Sequence, residues 1–459
     1  MYEYLSIIDE KAEKLDAASD YIWDNPELAF TETKSAACQI ELLRSEGFEV
    51  EENLAGIPTA FSGRFGHGRP VIGILGEFDA LSGLGQVSGA TVKTPNGGDC
   101  GHGCGHNYLG IGSIAAAIAV KKFLEDSGHE GTVIYFGCPG EEGGSGKAFM
   151  ARDGVFDELD ASFCWHPGQS NGIRTGSSLA NYQILYKFDG IASHAAAAPA
   201  RGRSALDALE LMNIGVQFLR EHMSTDCRIH YAITDAGGRS PNVVQPHAEV
   251  LYLIRAPRNE MVKELYERVN KIAAGAAMMT ETTESHEFIK ACSNLVMNDT
   301  MQRLLQEKLE EIGVPAPDAE DMAFAKQLAQ DGMKDNPYCN QDAPLDYQIK
   351  PYNERAGLGF GSTDVGDASW VCPTAQLRGA IWITGTPGHS WQVTTQGKSA
   401  WGHKVTRNIA KVMAAATVEL ITNPELLEKA KAEFKEKVGP KGYEAPIPKG
   451  VRPKAITAL

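Results

Sequence analysis

The sequence predicts an α/β fold with a mostly parallel sheet that is covered by helices on both faces and interrupted by a smaller α+β unit. Short β-rich runs alternate with helical patterns near both ends of the chain, which is typical of parallel sheets with helical connections. The middle of the chain has the order strand, helix, two strands, helix, strand, which is typical of a ferredoxin-like sandwich with an antiparallel sheet. A length of 459 residues also exceeds what one hydrophobic core usually supports.

The first part of the chain predicts two helices, followed by strands that alternate with a helix. Pro26 interrupts the helical spacing of the apolar residues near the start and separates the two helices. The later runs are rich in β-branched and apolar residues, as buried strands are. The predicted elements are helices within 4–47, strands within 58–66 and 70–81, a helix from about Ile111 to Asp126, and strands within 131–142 and 161–168.

From about residue 181 the pattern changes to that of the α+β unit. The predicted elements are strands within 181–190, 227–237, 248–257 and 283–294, and helices over 204–223 and 259–279. The simplest account is an α/β domain of residues 1–182 and 295–459, with an inserted domain of residues 183–294.

After Leu295 the sequence returns to the pattern of the first part. Helical patterns are followed by a Gly/Asp-rich segment, a strand within 376–383, a loop within 384–392 and a last long helix. The Pro/Lys-rich tail, residues 439–459, is expected to be extended over the surface.

Composition and charge disfavour several classes of protein. The chain has 43% hydrophobic and 22% charged residues, the balance of a globular protein. A formal net charge of −16 disfavours nucleic acid and anionic membrane surfaces as partners. The nine cysteines lack the spacing of a disulfide framework and fit a reducing compartment, and no signal peptide or membrane span is apparent. We therefore expect a cytoplasmic protein that binds neither nucleic acid nor a membrane.

Six side chains of metal-ligand type lie in glycine- or proline-flanked loops that follow apolar runs. Zinc and similar ions bind thiolate, imidazole and carboxylate groups, and an open sheet places its site at the carboxyl ends of its strands. A lone Cys or His is usually a hydrogen-bonded core residue, but four such loops favour a metal site. The candidates are Cys104, His106, Glu141, Glu142, His166 and His389.

The stretch GDCGHGCGHN, residues 98–107, leaves a structural metal site as an alternative. A closed site would use Cys100 and His102 with Cys104 and His106, although this spacing matches no zinc finger. The adjacent carboxylates of PGEEGG favour a catalytic site instead, because one can bind metal while the other accepts a proton from water. The alternative for that motif is a solvated acidic turn.

Nine motifs occur in an order that is found in one family of enzymes. Together they resemble the series of the metal-dependent aminoacylase and carboxypeptidase family, and within it the amidohydrolase branch. The series spans nearly the whole chain and is specific as a set, although each motif alone is not. The motifs are NPELAFTE, GEFDAL, GHGCGHN, GCPGEEGGSGK, WHPG, SHAAAAPARGRSALDA, PNVVQPHAEVLYLIRAP, GSTDVGDASW and GTPGHSWQ.

This resemblance implies a role for each candidate residue. Glu141 would be the general base, and His194 of the inserted domain would stabilise the oxyanion. Asn242 and Arg255, also in the inserted domain, would bind the substrate carboxylate. One or two divalent ions, Zn²⁺ or Mn²⁺, would be bound by Cys104, His106, Glu142, His166 and His389.

Two positions depart from the family pattern. The wider family has a His-x-Asp motif, whose His binds metal, in the place where this chain has Glu77 and Asp79. The Asp that commonly follows the CGH motif is Asn107 here. In the amidohydrolase branch the cysteine replaces the missing histidine as a ligand, so a second ion remains compatible with the sequence.

The resulting prediction is a metal-dependent amidohydrolase that cleaves N-acyl or N-aroyl amino acids, such as p-aminobenzoyl-glutamate. The resemblance implies that inserted domains pair across a two-fold axis, so we expect a homodimer whose insert is both lid and dimerisation domain, and it leaves open a related partner protein. Two alternatives remain. An aminopeptidase or dipeptidase would bind a free α-amine through Asp364 or Asp367, and a non-catalytic partner protein would keep the fold without the chemistry.

Overall fold

Strands and helices alternate along the chain much as the sequence predicts. The structure is a computed structural model and describes residues 2–354 and 357–455. Within those residues the strands are β1 (Glu49–Glu52), β2 (Phe61–His67), β3 (Val71–Glu77), β4 (Leu81–Ser82), β5 (Cys100–Gly101), β6 (Gly131–Cys138), β7 (Ala161–Gly168), β8 (Gly172–Ile173), β9 (Ala180–Asp189), β10 (Arg228–Asp235), β11 (His247–Ala256), β12 (Thr283–Cys292) and β13 (Thr374–Ala380). The α-helices are α1 (Ser6–Glu10), α2 (Ala12–Asp24), α3 (Thr33–Ser45), α4 (His106–Ser127), α5 (Glu141–Gly144), α6 (Gly146–Arg152), α7 (Ala205–Arg220), α8 (Asn259–Thr280), α9 (Asp299–Ile312), α10 (Ala319–Gly332), α11 (Val365–Val371), α12 (Trp391–Thr395), α13 (Ala400–Thr422) and α14 (Pro424–Val438).

The large sheet has seven strands in the order β1-β2-β6-β3-β7-β13-β8. Its four central strands, β6, β3, β7 and β13, are parallel, and the outer strands pair in antiparallel fashion. Strands β3 and β6 are buried along their whole length, because apolar layers cover both faces of the sheet. The mixed α/β architecture predicted from the alternating pattern is confirmed.

Alternate residues of the central strands enter two different apolar cores. On β3, Ile72 and Ile74 pack into the core that contains α4 and α13, whereas Val71 and Leu75 pack into the core that contains α6. This alternation follows from the period of two residues along a strand. Although α4 is strongly apolar, no helix of the described residues has the length and apolarity that a bilayer span requires.

The four-stranded unit consists of β9 to β12 with α7 and α8. Its antiparallel sheet has the order β10-β11-β9-β12. Along β9 and β11 buried residues alternate with partly exposed ones, so that one face of the sheet packs against α7 and α8. The opposite face directs Gln183, Leu253 and Arg255 toward a cavity shared with the large-sheet part of the chain.

Some element boundaries differ from the prediction. The first segment contains three helices instead of two, because Lys11 departs from helical geometry and separates α1 from α2. Helix α4 begins at His106, well before the predicted start at Ile111, because Gly105 adopts a left-handed φ of 74° and turns the chain directly into the helix. Strand β13 ends at Ala380, before the predicted end of that strand.

The tail predicted to be extended contains no helix or strand over residues 439–455, and its last residues, 456–459, lie outside the described part of the chain. Ile447 is buried, and Arg152 donates hydrogen bonds to the carbonyl oxygens of Pro448 and Val451. These contacts hold the described part of the tail against the body of the protein.

Candidate metal centre

Four segments of the large-sheet part bring the predicted ligands together. His166 lies on β7, and His389 lies in the loop after β13. Glu142 lies in α5, which follows β6, and Cys104 and His106 lie just before and at the start of α4. Because the central strands are parallel, their carboxyl ends meet at one edge of the sheet, and the side chains there converge.

The donor atoms of these five residues form two overlapping groups. Cys104 Sγ lies 3.5 Å from His166 Nε2, and His106 joins them in a group whose donor atoms all lie within 4.8 Å of one another. Glu142 Oε1 lies 3.3 Å from His389 Nε2, and these two form the second group with Cys104. The structure therefore places all five predicted ligands in one cluster, with Cys104 common to both groups.

Unpartnered buried atoms in this cluster fit a cation. His106 Nε2 and Glu142 Oε1 lie 4.0 Å apart, and both are buried without a hydrogen bond of good geometry, although Glu77 Oε2 lies 3.3 Å from the first atom and His389 Nε2 lies 3.3 Å from the second. Buried polar atoms are nearly always paired, so two such atoms beside each other indicate a site for a shared partner. Imidazole, thiolate and carboxylate donors together suit Zn²⁺ or a similar ion, so the residues present fit a divalent metal.

Burial and charge set the protonation of these ligands. Burial and the charge of His106 lower the pKa of His166 to about 4, so its imidazole is neutral near pH 7. Burial opposes ionisation of Glu142, but the contact with the His389 imidazole and the charge of His106 outweigh it and lower the pKa of Glu142 to about 2. Burial raises the pKa of the Cys104 thiol, which must lose its proton to bind an ion.

Asp79 connects two of the candidate ligands, a role that the sequence left open. Its Oδ1 lies 3.0 Å from His106 Nδ1, and its Oδ2 accepts a hydrogen bond of 2.9 Å from the backbone N–H of Glu142. A carboxylate behind a histidine fixes its tautomer and directs the other nitrogen toward the metal. Asp79 therefore orients His106 and positions the start of α5 at the same time.

Glu77 belongs to a buried ion-pair network instead of standing alone. Lys147 Nζ lies 2.7 Å from Glu77 Oε1 and 2.6 Å from Asp364 Oδ1, and the Lys147 side chain is fully buried. Glu77 Oε2 lies 3.3 Å from His106 Nε2. The sequence gives no signal for Lys147, because a lysine is ordinarily a surface residue and nothing in its spacing indicates burial.

Glu141 lies at the edge of the ligand cluster. Its carboxylate forms a group with Glu77 and His106, with donor atoms within 4.8 Å of one another. Burial raises the pKa of Glu141 well above its ordinary value, and the charges of Glu77 and Glu142 raise it further. A raised pKa means that the Glu141 carboxylate binds a proton readily, as a general base must when it takes a proton from water.

The closed structural metal site is not supported by the geometry. Cys100 Sγ lies 3.0 Å from the Pro26 carbonyl oxygen, and His102 Nε2 lies 3.1 Å from the Ile22 carbonyl oxygen. Burial lowers the pKa of His102 to about 3, so its neutral ring donates a hydrogen bond to that carbonyl. These two residues therefore anchor the loop to the N-terminal helices, while the following Cys and His enter the cluster.

A cavity of about 530 Å³ opens onto the ligand cluster. It is lined by Glu141, Arg255 and four of the five candidate ligands, together with basic residues for which the sequence gave no signal, namely Arg174, Lys290 and Arg378. His194 and Asn242 do not line it. Both are exposed on the four-stranded unit, where Ala195 N–H donates to the Asn242 carbonyl oxygen. One copy of the chain therefore brings Arg255 to the cavity, but not His194 or Asn242.

The two acids that an aminopeptidase would need are already engaged. Asp364 pairs with Lys147, and Asp367 is buried and accepts hydrogen bonds from Ser293 and from the Tyr443 hydroxyl. Neither carboxylate is free to bind an α-amine. The geometry therefore disfavours the aminopeptidase alternative.

Comparisons with known proteins show the family of this chain. A family model described as peptidase family M20/M25/M40 matches residues 73–450. One of the component chains of the p-aminobenzoyl-glutamate hydrolase of Escherichia coli (strain K12) is 46% identical, over 95% of each chain. The Xaa-Arg dipeptidase of Mus musculus is 30% identical, over 94% of this chain and 91% of its own.

A similar fold occurs in the crystal structure of a dinuclear metal-binding peptidase of the M20 family from Bacillus subtilis. Its TM-score is 0.54 at 17% identity, and the match covers 89% of this chain and 99% of that one. The comparisons confirm the family resemblance and the prediction of a metal-dependent amide hydrolase. This chain belongs to peptidase family M20/M25/M40.

Proposed function

We propose that this chain hydrolyses the amide bond of N-acyl or N-aroyl amino acids, with p-aminobenzoyl-glutamate as the representative substrate. One observation carries the proposal: Glu141, the ligand cluster and Arg255 line the same cavity. A general base beside a metal site can activate water for attack on an amide carbonyl. A guanidinium group can bind the carboxylate of the substrate through paired hydrogen bonds. The name of the E. coli relative, p-aminobenzoyl-glutamate hydrolase, supports this substrate class.

We assign the metal to Cys104, His106, Glu142, His166 and His389. When bound, a divalent ion supplies a Lewis acid for the scissile carbonyl and the attacking water. The Glu141 carboxylate takes a proton from that water while the water oxygen bonds to the carbonyl carbon. Glu141 then gives the proton to the amide nitrogen as the C–N bond breaks, which releases a carboxylic acid and a free amino acid.

Two ions, Zn²⁺ or Mn²⁺, are proposed on the basis of the two overlapping donor groups. The B. subtilis peptidase is described as dinuclear, which supports this number. We also propose a cytoplasmic location, because all nine cysteines are free and suit a reducing compartment.

Metal analysis and a substrate panel test the proposed function. We expect protein purified without chelator to contain one or two equivalents of Zn or Mn and to release amino acids from N-benzoyl and N-(p-aminobenzoyl) amino acids. Free-amine dipeptides should react much more slowly, because neither Asp364 nor Asp367 is free to bind an α-amine. Metal-loaded protein that cleaved only free-amine dipeptides would overturn the proposal. Activity of the chain expressed alone also shows whether it needs a related partner protein.

We further propose that residues 183–294 form a lid and dimerisation domain inserted into a metal-binding domain of residues 1–182 and 295–459. Strand β10 is an edge strand and is largely exposed, and the same unit exposes Phe218 at 71% and Ile214 at 53%. Exposed edges and apolar side chains of this kind favour pairing between copies. A second copy can then bring its own His194 and Asn242 to the cavity of the first.

Complementation between inactive variants tests the dimer. We expect His194→Ala and Glu141→Ala each to be inactive alone, and activity to reappear after the two proteins exchange protomers, because one site of the mixed dimer receives both intact groups. Mass spectrometry of the exchanged sample verifies that mixed dimers form. Verified exchange without activity would place His194 outside the partner's site.

A further inference from the structure

Four positively charged side chains line the cavity without a carboxylate partner. They are Arg174, Arg255, Lys290 and Arg378. Within the described residues none of the four forms an ion pair with a carboxylate. Lys290 is buried and Arg174 and Arg255 are partly buried, whereas Arg378 is exposed within the open cavity. Buried or partly buried cations without a counter-charge are costly, so this set indicates an anionic ligand.

Arg174 and Arg378 form the large-sheet wall of the cavity. Arg378 lies on β13 beside His166 on β7, so its side chain extends next to the metal ligands. Arg174 pairs through its backbone N–H with the Gln376 carbonyl oxygen, which brings it to the neighbouring position on the same wall. Burial of Arg174 and the neighbouring charge of Arg378 lower the pKa of Arg174 to about 10.

Arg255 lies on the opposite wall, on the four-stranded unit. Its Nη1 donates a hydrogen bond of 3.1 Å to Ser362 Oγ, and its Nε is buried without an acceptor. Lys290, on β12, is 8% exposed and lies on the same side of the cavity. The two walls therefore present two separate cationic positions to a ligand between them.

The acidic residues of the cavity do not neutralise these cations. Glu142 belongs to the ligand cluster and contacts His389, and Asp364 pairs with Lys147. Glu141 is the proposed base. Glu141 and Glu77 attract Arg174 through space but form no ion pair with it, so a substrate carboxylate would supply the direct partner that the two walls lack.

We propose that Arg174 and Arg378 bind a second carboxylate of the substrate, while Arg255 binds the α-carboxylate. This inference rests on the proposed function and deepens it, because it makes the preferred substrate a dianionic N-acyl amino acid. A cationic amino acid would meet like charge on both walls. The chain should therefore differ in preference from the relative named Xaa-Arg dipeptidase, despite their common family.

Calorimetry of ligand binding to the metal-loaded Glu141→Gln protein tests the second carboxylate site, because this variant should bind substrates without hydrolysing them. The ligands are p-aminobenzoyl-glutamate, p-aminobenzoyl-glutamine and p-aminobenzoyl-arginine, with N-(4-carboxybenzoyl)glycine and N-benzoylglycine as a pair that places the second carboxylate on the acyl group. We expect a dianion to bind about 10- to 100-fold more tightly than its monoanionic analogue, which lacks only the second carboxylate, the range for charge-assisted hydrogen bonds. The pair that shows the preference identifies which end of the substrate carries the second carboxylate.

Substitutions then show which residues cause the preference for the dianion. Arg378→Gln and Arg174→Gln should bring the affinity for the dianion down to that for the monoanionic analogue, while Arg378→Lys retains part of the difference. Arg255→Lys should weaken binding of the dianion and its analogue by similar factors, because both carry the α-carboxylate. Arg303→Gln, an exposed arginine that pairs with Glu354, is the control and should change neither.

Equal binding of dianion and monoanionic analogue, or equal losses for both in Arg378→Gln and Arg174→Gln, would overturn the inference. Failure of the proposed function has a different signature. If unsubstituted protein hydrolysed glutamate, glutamine and arginine derivatives at equal rates, the proposed function would stand and the inference of a second carboxylate site would be refuted. If the protein bound the dianion selectively but hydrolysed no N-acyl amino acid, the proposed function would be refuted and the proposed binding site would stand.

Discussion

Glu141→Gln should lower kcat for N-acyl amino acids by a factor on the order of a thousand or more and leave the metal content unchanged. Glutamine keeps the size of the side chain but cannot accept a proton from water. The loss is expected near the upper part of the range for general bases, because the same group later protonates the leaving nitrogen. Steady-state kinetics and elemental analysis of the same preparation check both halves of the prediction.

The adjacent glutamate supplies a matched control. Glu142→Gln removes a charged candidate ligand, so we expect it to lose metal as well as activity. If Glu141→Gln turned over substrate at a near-normal rate, or lost metal to the same extent as Glu142→Gln, the two roles would be wrongly assigned.

Cys104→Ala should abolish activity and strongly reduce the metal content. Cys104 is the donor common to both groups of ligands, so its loss weakens both proposed positions. His166→Ala removes one donor from one group and should reduce the metal content less. Elemental analysis after dialysis against a weak chelator measures the order of these effects.

Cys100→Ala is the control for the cysteine substitution, because Cys100 lies in the same loop but its Sγ contacts the Pro26 carbonyl oxygen. It should retain metal and activity. Full metal content in both Cys104→Ala and His166→Ala would show that the ion is bound elsewhere. Loss of metal in Cys100→Ala alone would favour the structural site instead.

The fold and the cluster of candidate ligands can be predicted from the sequence for a physical reason. Parallel strands converge at their carboxyl ends, so polar residues that follow several buried strands must meet there. That rule applies to Glu142, His166 and His389, and the structure brings them together. The alternating pattern likewise predicts the large sheet, because burial on both faces requires continuous apolar runs.

The residues behind and around the ligands could not be predicted in the same way. Asp79 and Lys147 act through contacts with segments that are distant in the chain. The sequence alone does not distinguish a buried lysine from a surface lysine. Arg174 and Arg378 are recognised as a pair only after β8 and β13 are seen to be neighbours. His194 is exposed and lies outside the cavity of its own chain, so the contacts of one copy give it no role there.

The ion pairs between Lys147, Glu77 and Asp364 bear on the order in which the enzyme matures. The buried ammonium of Lys147 attracts both Glu77 and Asp364 and offsets the repulsion between them, so these two carboxylates do not need a metal ion to balance their charge. We therefore expect the protein to keep its fold without metal and to gain activity when the ion is added afterwards. On that expectation, metal supply sets the active fraction of the folded protein and leaves its amount unchanged.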